Sequence, residues 1–171
     1  MPTSTTVSPK ERYLAEHDDE HERTMKILRA FPADKAELRP HAKLKTAREL
    51  AFVFVIERAL ARKLMENAFA KGVPAGGMPD APASWREVLD AVERSHRDFA
   101  NYVRALPDAS LDETSTFMVG PRQMKDIRRL DLLWFLLHDE IHHRGQLSVY
   151  LRMADAPVPS IYGPSGDEPW M

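Results

Sequence analysis

The chain has 171 residues, enough for one domain that buries roughly two-thirds of its unfolded surface, and its 43% hydrophobic and 29% charged residues are those of a soluble globular protein. A formal net charge of -2 with no dense Lys/Arg run argues against nucleic-acid binding, and the lack of cysteine excludes disulfides, thiolate metal ligands and a cysteine nucleophile. The N-terminal stretch has no apolar core of the signal-peptide kind, and the densest apolar run, Leu132 to Leu137, is too short to span a bilayer, so a cytoplasmic protein with no membrane partner is expected.

Helix punctuation is clear along the chain. Residues 1–7 are expected to be flexible. Ser8-Pro9-Lys10-Glu11 combines an N-cap serine, proline at the first helical position and glutamate at the third. Leu14, Met25 and Leu28 then line one face until Phe31-Pro32 ends the helix. Thr46-Ala47-Arg48-Glu49 is a second capping box, opening a helix that carries Leu50, Val53, Phe54, Leu60 and Leu64, with Gly72 beyond its end. The Gly- and Pro-rich stretch from Gly72 to Ala83 reads as a loop. Ser84-Trp85-Arg86-Glu87 starts a third helix with Trp85, Val88, Leu89, Val92, Phe99, Val103 and Leu106 on one stripe, closed by Pro107.

Residues 108–121 are polar and irregular, with Gly120-Pro121 as punctuation. A fourth helix is expected from about 123–127 to Ala154. Four prolines in the tail, Pro157, Pro159, Pro164 and Pro169, exclude further helix, and Ile161, Tyr162 and Trp170 are the residues that would dock it. No strand-length alternating segment stands out. The expectation is an all-α, single-domain four-helix bundle over residues 1–171, with an irregular Pro-rich C-terminal tail (155–171).

Function is expected in the segment HDEIHHRGQLSVYLRM, from His138 to Met153. It lies in an apolar helical pattern of Leu130, Leu133, Trp134, Leu137 and Ile141, so the helix that buries these must bury part of the polar cluster too. Burying imidazole or carboxylate without partners costs several kcal/mol, which calls for a metal ion or a hydrogen-bond network. His138 and His142 form one i, i+4 pair; Asp139 and His143 form another. The neighbouring apolar residues predict an inner face of Asp139, His142, His143 and Gln146, with His138 toward another edge. The simpler reading is a buried histidine bonded to its i-4 carboxylate.

Glu57 stands one turn after Val53 on the inner face of the second helix. It is readable as a third metal ligand, a partner of a histidine, a buried general base, or one half of a salt bridge to Arg58, Arg62 or Arg144. His17 and His21 make a further i, i+4 pair in an acidic turn, His96 sits on the core stripe of the third helix as a satisfied core histidine, and His41 lies in a loop. Gly76-Gly77 lacks the strand and lysine of a phosphate loop, and neither G-x-S-x-G nor H-E-x-x-H occurs. Gly145 inside a helix costs about 1 kcal/mol relative to alanine and suggests close approach of another helix or subunit.

His143-Arg144-Gly145-Gln146, preceded by Asp139 and followed by Leu147-Ser148-Val149-Tyr150-Leu151-Arg152, resembles the DinB/YfiT-like family. Thr46-Ala47-Arg48-Glu49-Leu50-Ala51 is similar to the start of that family's second helix, and Val158-Pro159-Ser160-Ile161-Tyr162-Gly163 to the tail of one branch. The resemblance implies an up-down-down-up style bundle, often a homodimer. It also implies a divalent metal (zinc, nickel, iron or manganese) held by a histidine of the second helix and two residues of the last. Some relatives are S-transferases using small-molecule thiols such as bacillithiol or mycothiol. A thiol-dependent transferase or a hydrolase is therefore one expectation, and a metal-free dimeric bundle with a binding or structural role is the other. Val53 stands where the family has its second-helix histidine, and Asp139 where a histidine precedes the H-R-G-Q run by one turn. Only His143 matches cleanly, with Asp139 in the partner position. His142 or His138 would enter through a shifted register, and Glu57 is the nearest replacement for the missing second-helix ligand.

Overall fold

Three capping boxes start three helices: α1 (Pro9–Ala30), α2 (Ala47–Met65) and α3 (Trp85–Ala105). In each, the side chain of Ser8, Thr46 or Ser84 accepts the backbone N–H of Glu11, Glu49 or Glu87, whose carboxylate accepts the cap N–H in return. These bonds, with helix α4 (Arg129–Met153), define a bundle in a computed structural model that describes residues 7–72 and 78–171. The expectations for residues 1–6 and for Gly76-Gly77 lie outside the described residues. Each of α1 and α2 packs on both α3 and α4, so the order around the bundle is α1, α3, α2, α4. Among the described residues no helix is long and apolar enough to cross a membrane.

The fourth helix begins later than its sequence pattern suggests. Thr114–Gly120 (β1) pairs antiparallel with Gln123–Arg128 (β2), and β2 runs directly into α4 with no side-chain cap at Arg128. Residues read as irregular, and those read as the first turn of α4, are thus a hairpin. Its alternation is faint because the pair lies on the bundle surface: Ser115 is buried, Phe117 and Ile127 only partly so. Local bonds hold it. Thr116 Oγ1 donates to Asp126 Oδ1 at 2.7 Å, the Thr116 N–H donates to Asn67 Oδ1 at 3.0 Å, and Phe117 meets Phe69 and Phe135. Arg122 takes the turn with φ 61°, and the register shifts between Met118 and Gly120.

The apolar core is in two parts. One gathers Met25, Leu28, Phe54, Val88, Val92, Leu147 and Leu151; the other gathers Tyr13, Leu64, Phe99, Val103, Leu133 and Leu137. Along every helix the residues between the two parts are polar: His17, Glu20 and His21 on α1, Glu57 and Arg58 on α2, Ser95 and His96 on α3, and Asp139, Glu140, His143 and Arg144 on α4. A polar belt therefore crosses the middle of the bundle, where apolar packing would be worth most. Within it Arg58 binds Glu140 through Nε and Nη2 (3.2 and 3.0 Å) and donates from Nη1 to the Val92 carbonyl and Ser95 Oγ. Arg144 pairs with Glu20, which also accepts from Arg23.

The tail reaches this belt through one hydroxyl. Tyr162 Oη donates to Glu20 Oε2 at 2.7 Å and accepts from Arg144 Nη2 at 2.6 Å, while Arg23 and Arg144 lie over its ring. Arg152 pairs with Asp167, and Ile161 packs on the first core part. Trp170 stays exposed and closes the tail on itself, donating from Nε1 to Ser160 Oγ. Tyr162→Phe removes two bonds to charged groups in a partly wet setting, and is expected to lower unfolding free energy by about 1–2 kcal/mol and to speed proteolytic clipping of the tail. Unchanged urea midpoint and clipping rate would show that the apolar contacts alone hold it.

Candidate metal centre

The i, i+4 spacing on α4 puts Asp139 and His143 on one face, and the packing of α2 against α4 sets Glu57 opposite them. His143 Nε2 lies 3.3 Å from Glu57 Oε1 and 3.7 Å from Asp139 Oδ2, and one donor atom from each residue falls within 4.8 Å of the others. Glu57 is buried, His143 half-buried and Asp139 partly open to solvent. Although His143 is within ion-pair distance, neither Glu57 oxygen completes a directed hydrogen bond among the described residues. An orphaned buried carboxylate is rare in a folded protein. Burial pushes the Glu57 carboxyl up to about 8, Glu140 adds to that, and His143 opposes it. The His143 imidazole is raised, chiefly by Glu57.

The histidine is aimed by an amide. His143 Nδ1 and Gln146 Oε1 are 3.1 Å apart, and Gln146 Nε2 and His142 Nε2 are 3.0 Å apart. If the Gln146 oxygen accepts from Nδ1–H, its NH₂ group donates to His142, and the His143 Nε2 lone pair is turned toward the two carboxylates. His142 itself is exposed and stands outside the triad. His138 is exposed at a separate small cavity beside Trp134, Pro9 and Arg12. The triad opens into a cavity of about 770 Å³ bounded by α2, the segments before and after it, and Asp139 and His143 of α4. Phe52, Val53, Ile56 and Leu60 form its apolar wall, and Arg39, Lys43, Lys45 and Arg48 stand among the residues around it.

The inward face of α4 differs from the sequence expectation. Leu133, Leu137, Glu140, Arg144, Leu147 and Leu151 form the buried stripe, with Glu140 and Arg144 inside, whereas His142 faces solvent and Gln146 is only half-buried. A stripe with the period of a helix runs through those six residues, but two charges within it read as solvated until their partners are known. Among the described residues Glu57 forms no salt bridge to arginine: Arg58 pairs with Glu140, Arg62 with Glu66 and Arg144 with Glu20. A Cβ at Gly145 would meet nothing within 4 Å, so no other helix of the described chain approaches it. His96 is not fully satisfied either, since its Nδ1 is buried without a partner.

The donor set of one imidazole and two carboxylates, with one carboxylate otherwise unpaired, fits a divalent cation of the zinc-to-manganese series. Comparison with known proteins bears on the scaffold. The DinB family model matches residues 1–170. A DinB-like protein of Bacillus cereus superimposes with a TM-score of 0.70 at 21% identity, covering 88% of this chain and 95% of that one. A DinB-like protein of Bacillus subtilis does so with a TM-score of 0.66 at 16% identity, covering 88% and 97%. At such identities the likeness speaks for the fold alone. The uncharacterized protein YrdA of Bacillus subtilis is 32% identical over 96 residues, 56% of this chain and 54% of that protein, so the match spans about half the relative's length. With four helices of this arrangement and a family match along nearly its whole length, the chain belongs to the DinB family.

Proposed function

We propose that Glu57, Asp139 and His143 hold a divalent metal ion at the floor of the cavity between α2 and α4, and that the cavity takes a small-molecule thiol or water for group transfer or hydrolysis. The observation that carries this reading is the buried Glu57 carboxylate with no hydrogen-bond partner among the described residues. Among the described residues its one polar neighbour of opposite sign is the His143 ring at 3.3 Å, and a cation shared by the neighbouring donors accounts for its burial. Val53 leaves α2 without the histidine of the family pattern, and Glu57, one turn further along, supplies the replacement donor. When bound, such an ion lowers the pKa of a thiol or water that reaches it, which is the activation these reactions need. Gln146 fixes the His143 ring, the apolar wall of Val53, Ile56 and Leu60 limits water, and the partly exposed Asp139 is placed to pass a proton toward solvent.

Untagged protein is expected to carry about one equivalent of divalent metal at this triad, and His143→Ala to lose it. Equal, near-zero occupancy in both by elemental analysis would sink the reading, and turnover of a thiol with an electrophile that persists in Asp139→Ala would remove the catalytic part. The alternative is a metal-free homodimer with a binding or structural role. It draws on Val53 and on the exposed stripe of Phe135, Val149 and Met153 along the outer face of α4. A melting temperature indifferent to every divalent metal would favour it.

A further inference from the structure

The polar belt has a second concentration of imidazoles, on the side where α1 meets α3. His17 is 2% exposed, and neither of its ring nitrogens has a hydrogen-bond partner among the described residues. His96 is stacked on it with ring centroids 4.6 Å apart and planes 17° from parallel, and His21 is stacked on His96 at 3.7 Å and 4°. Rings laid face to face cannot serve one another's nitrogens, which donate and accept in the ring plane. Tyr13 stacks on His17 and Phe99 meets it in a T-shaped contact, so aromatic rings surround the most buried imidazole.

The charges around this column are already paired. From α2, Arg58 Nη2 lies 3.4 Å from His21 Nδ1, and two bonds to Glu140 of α4 balance the guanidinium. From α3, Arg104 donates to Asp18 Oδ2 at 3.0 Å. Asp18 Oδ1 is 3.1 Å from His96 Nε2 and 4.0 Å from His17 Nδ1, so one carboxylate faces an arginine and two imidazoles. At the solvent end Arg29 pairs with Glu93, and Glu22 and Arg97 line the same opening. One added proton would have to share Asp18 with Arg104, and a second or third would be a buried cation without a partner. Burial is the chief influence, with Arg58 adding to it, and holds the His17 imidazole down at about 2 and those of His21 and His96 at about 3.

We propose that the column of His17, His96 and His21 is a proton-sensitive clasp, which closes α1 on α3 while its rings are neutral and opens that seam when they take up protons. A histidine held below its unfolded value binds a proton once it is released. The closed form is therefore fully favoured above the ordinary imidazole value of about 6.5 and loses ground as pH falls below it. Each such ring makes opening about 10-fold more favourable per pH unit, down to its own value in the closed form. The seam suits the role, since α1 and α3 are the most thinly packed of the four neighbouring helix pairs. A cavity of about 430 Å³ brings solvent to His21 and His96 beside Asp18 and Arg104, so protons reach the column. Glu57, Asp139 and His143 lie on α2 and α4, which pack on each other, so opening the clasp leaves their two helices paired.

The test compares the full-length protein with His17→Phe, whose ring keeps the aromatic packing against Tyr13 and Phe99 and cannot take up a proton. Unfolding constants come from urea titrations of metal-free protein. The ratio of the unaltered constant to that of the variant is expected to grow about 10-fold from about pH 7.5 to 5.5, and a further 10-fold by about pH 4.5. Taking the ratio cancels Glu57, Glu140 and His143, which are raised in the folded protein and act in the opposite direction. His21→Phe is the second variant, expected to give the same trend if His17→Phe does not fold. Hydrogen exchange, corrected for intrinsic rates, locates the opening. Between about pH 7.5 and 5.5 the amides of α1 are expected to lose at least about 10-fold more protection than those of α2 and α4. A ratio independent of pH in both variants, or α1 protection no more pH-sensitive than that of α2, overturns the proposal. No metal is added at any stage, so the outcome is separate from that of the triad.

Discussion

Arg58→Ala is expected to lower the free energy of unfolding by about 3–5 kcal/mol, a large share of the 5–15 kcal/mol typical of a domain. Arg58 is almost wholly buried and makes two bonds to Glu140, one to the Val92 carbonyl and one to Ser95 Oγ. Removing it leaves the Glu140 carboxylate buried without its cation and the Val92 carbonyl without that donor. Glu140 is already raised by burial, with Arg58 as the chief opposing influence, so in the variant it takes up a proton on folding. A second substitution, Glu140→Gln, is then expected to restore part of the loss, giving a coupling energy of the size found for contacting residues, about 0.5–3 kcal/mol. Urea denaturation of the two single variants and the double supplies the cycle. Additive losses would mean that the pair is not the unit that matters, and that the Val92 and Ser95 bonds carry the effect.

The residue just before it should behave in the opposite way. Glu57→Met is expected to stabilise the metal-free protein by about 1–3 kcal/mol, because it removes a buried carboxyl with unmet oxygens and puts a side chain of similar length against Val53, Ile56 and Leu60. The same variant should lose the thermal response to added divalent metal. A group that weakens the resting fold and is required for a ligand marks a site kept for function. Chelator-treated protein is compared with and without metal, by urea midpoint and melting temperature. If Glu57→Met destabilises the chelated protein, then His143 is a sufficient partner and the carboxylate is a structural one.

Adjacent positions with opposite signs show how the belt was partly hidden in the sequence. Arg58 and Glu57 both lie on an apolar helix, and nothing local distinguishes the paired one from the unpaired one. Asp139 and His143 were legible as a pair because the i, i+4 relation is internal to one helix. The nearness of Glu57 to them is a contact between helices, and the seclusion of His17 inside an acidic turn depends on α3 covering it. Glu140 and Arg144 were missed for the same reason. A charge in an apolar stripe looks solvated unless the residue opposite it is known.

What the sequence determined by itself was everything carried by contacts of three or four residues: the three capped starts at Ser8, Thr46 and Ser84, the apolar stripes, the proline stops, and through them the four-helix architecture. Tertiary structure alone decided the hairpin, whose strands need each other to satisfy their backbone groups, and the pairing within the polar belt. Arg58 finds Glu140 across 82 residues and Arg144 finds Glu20 across 124, while Glu57 pairs with no arginine among the described residues. Those outcomes are set by the rotation and axial register of whole helices, which the two apolar parts of the core fix through summed packing. A shift of one residue along any helix would leave its own pattern intact and give every buried charge a different partner.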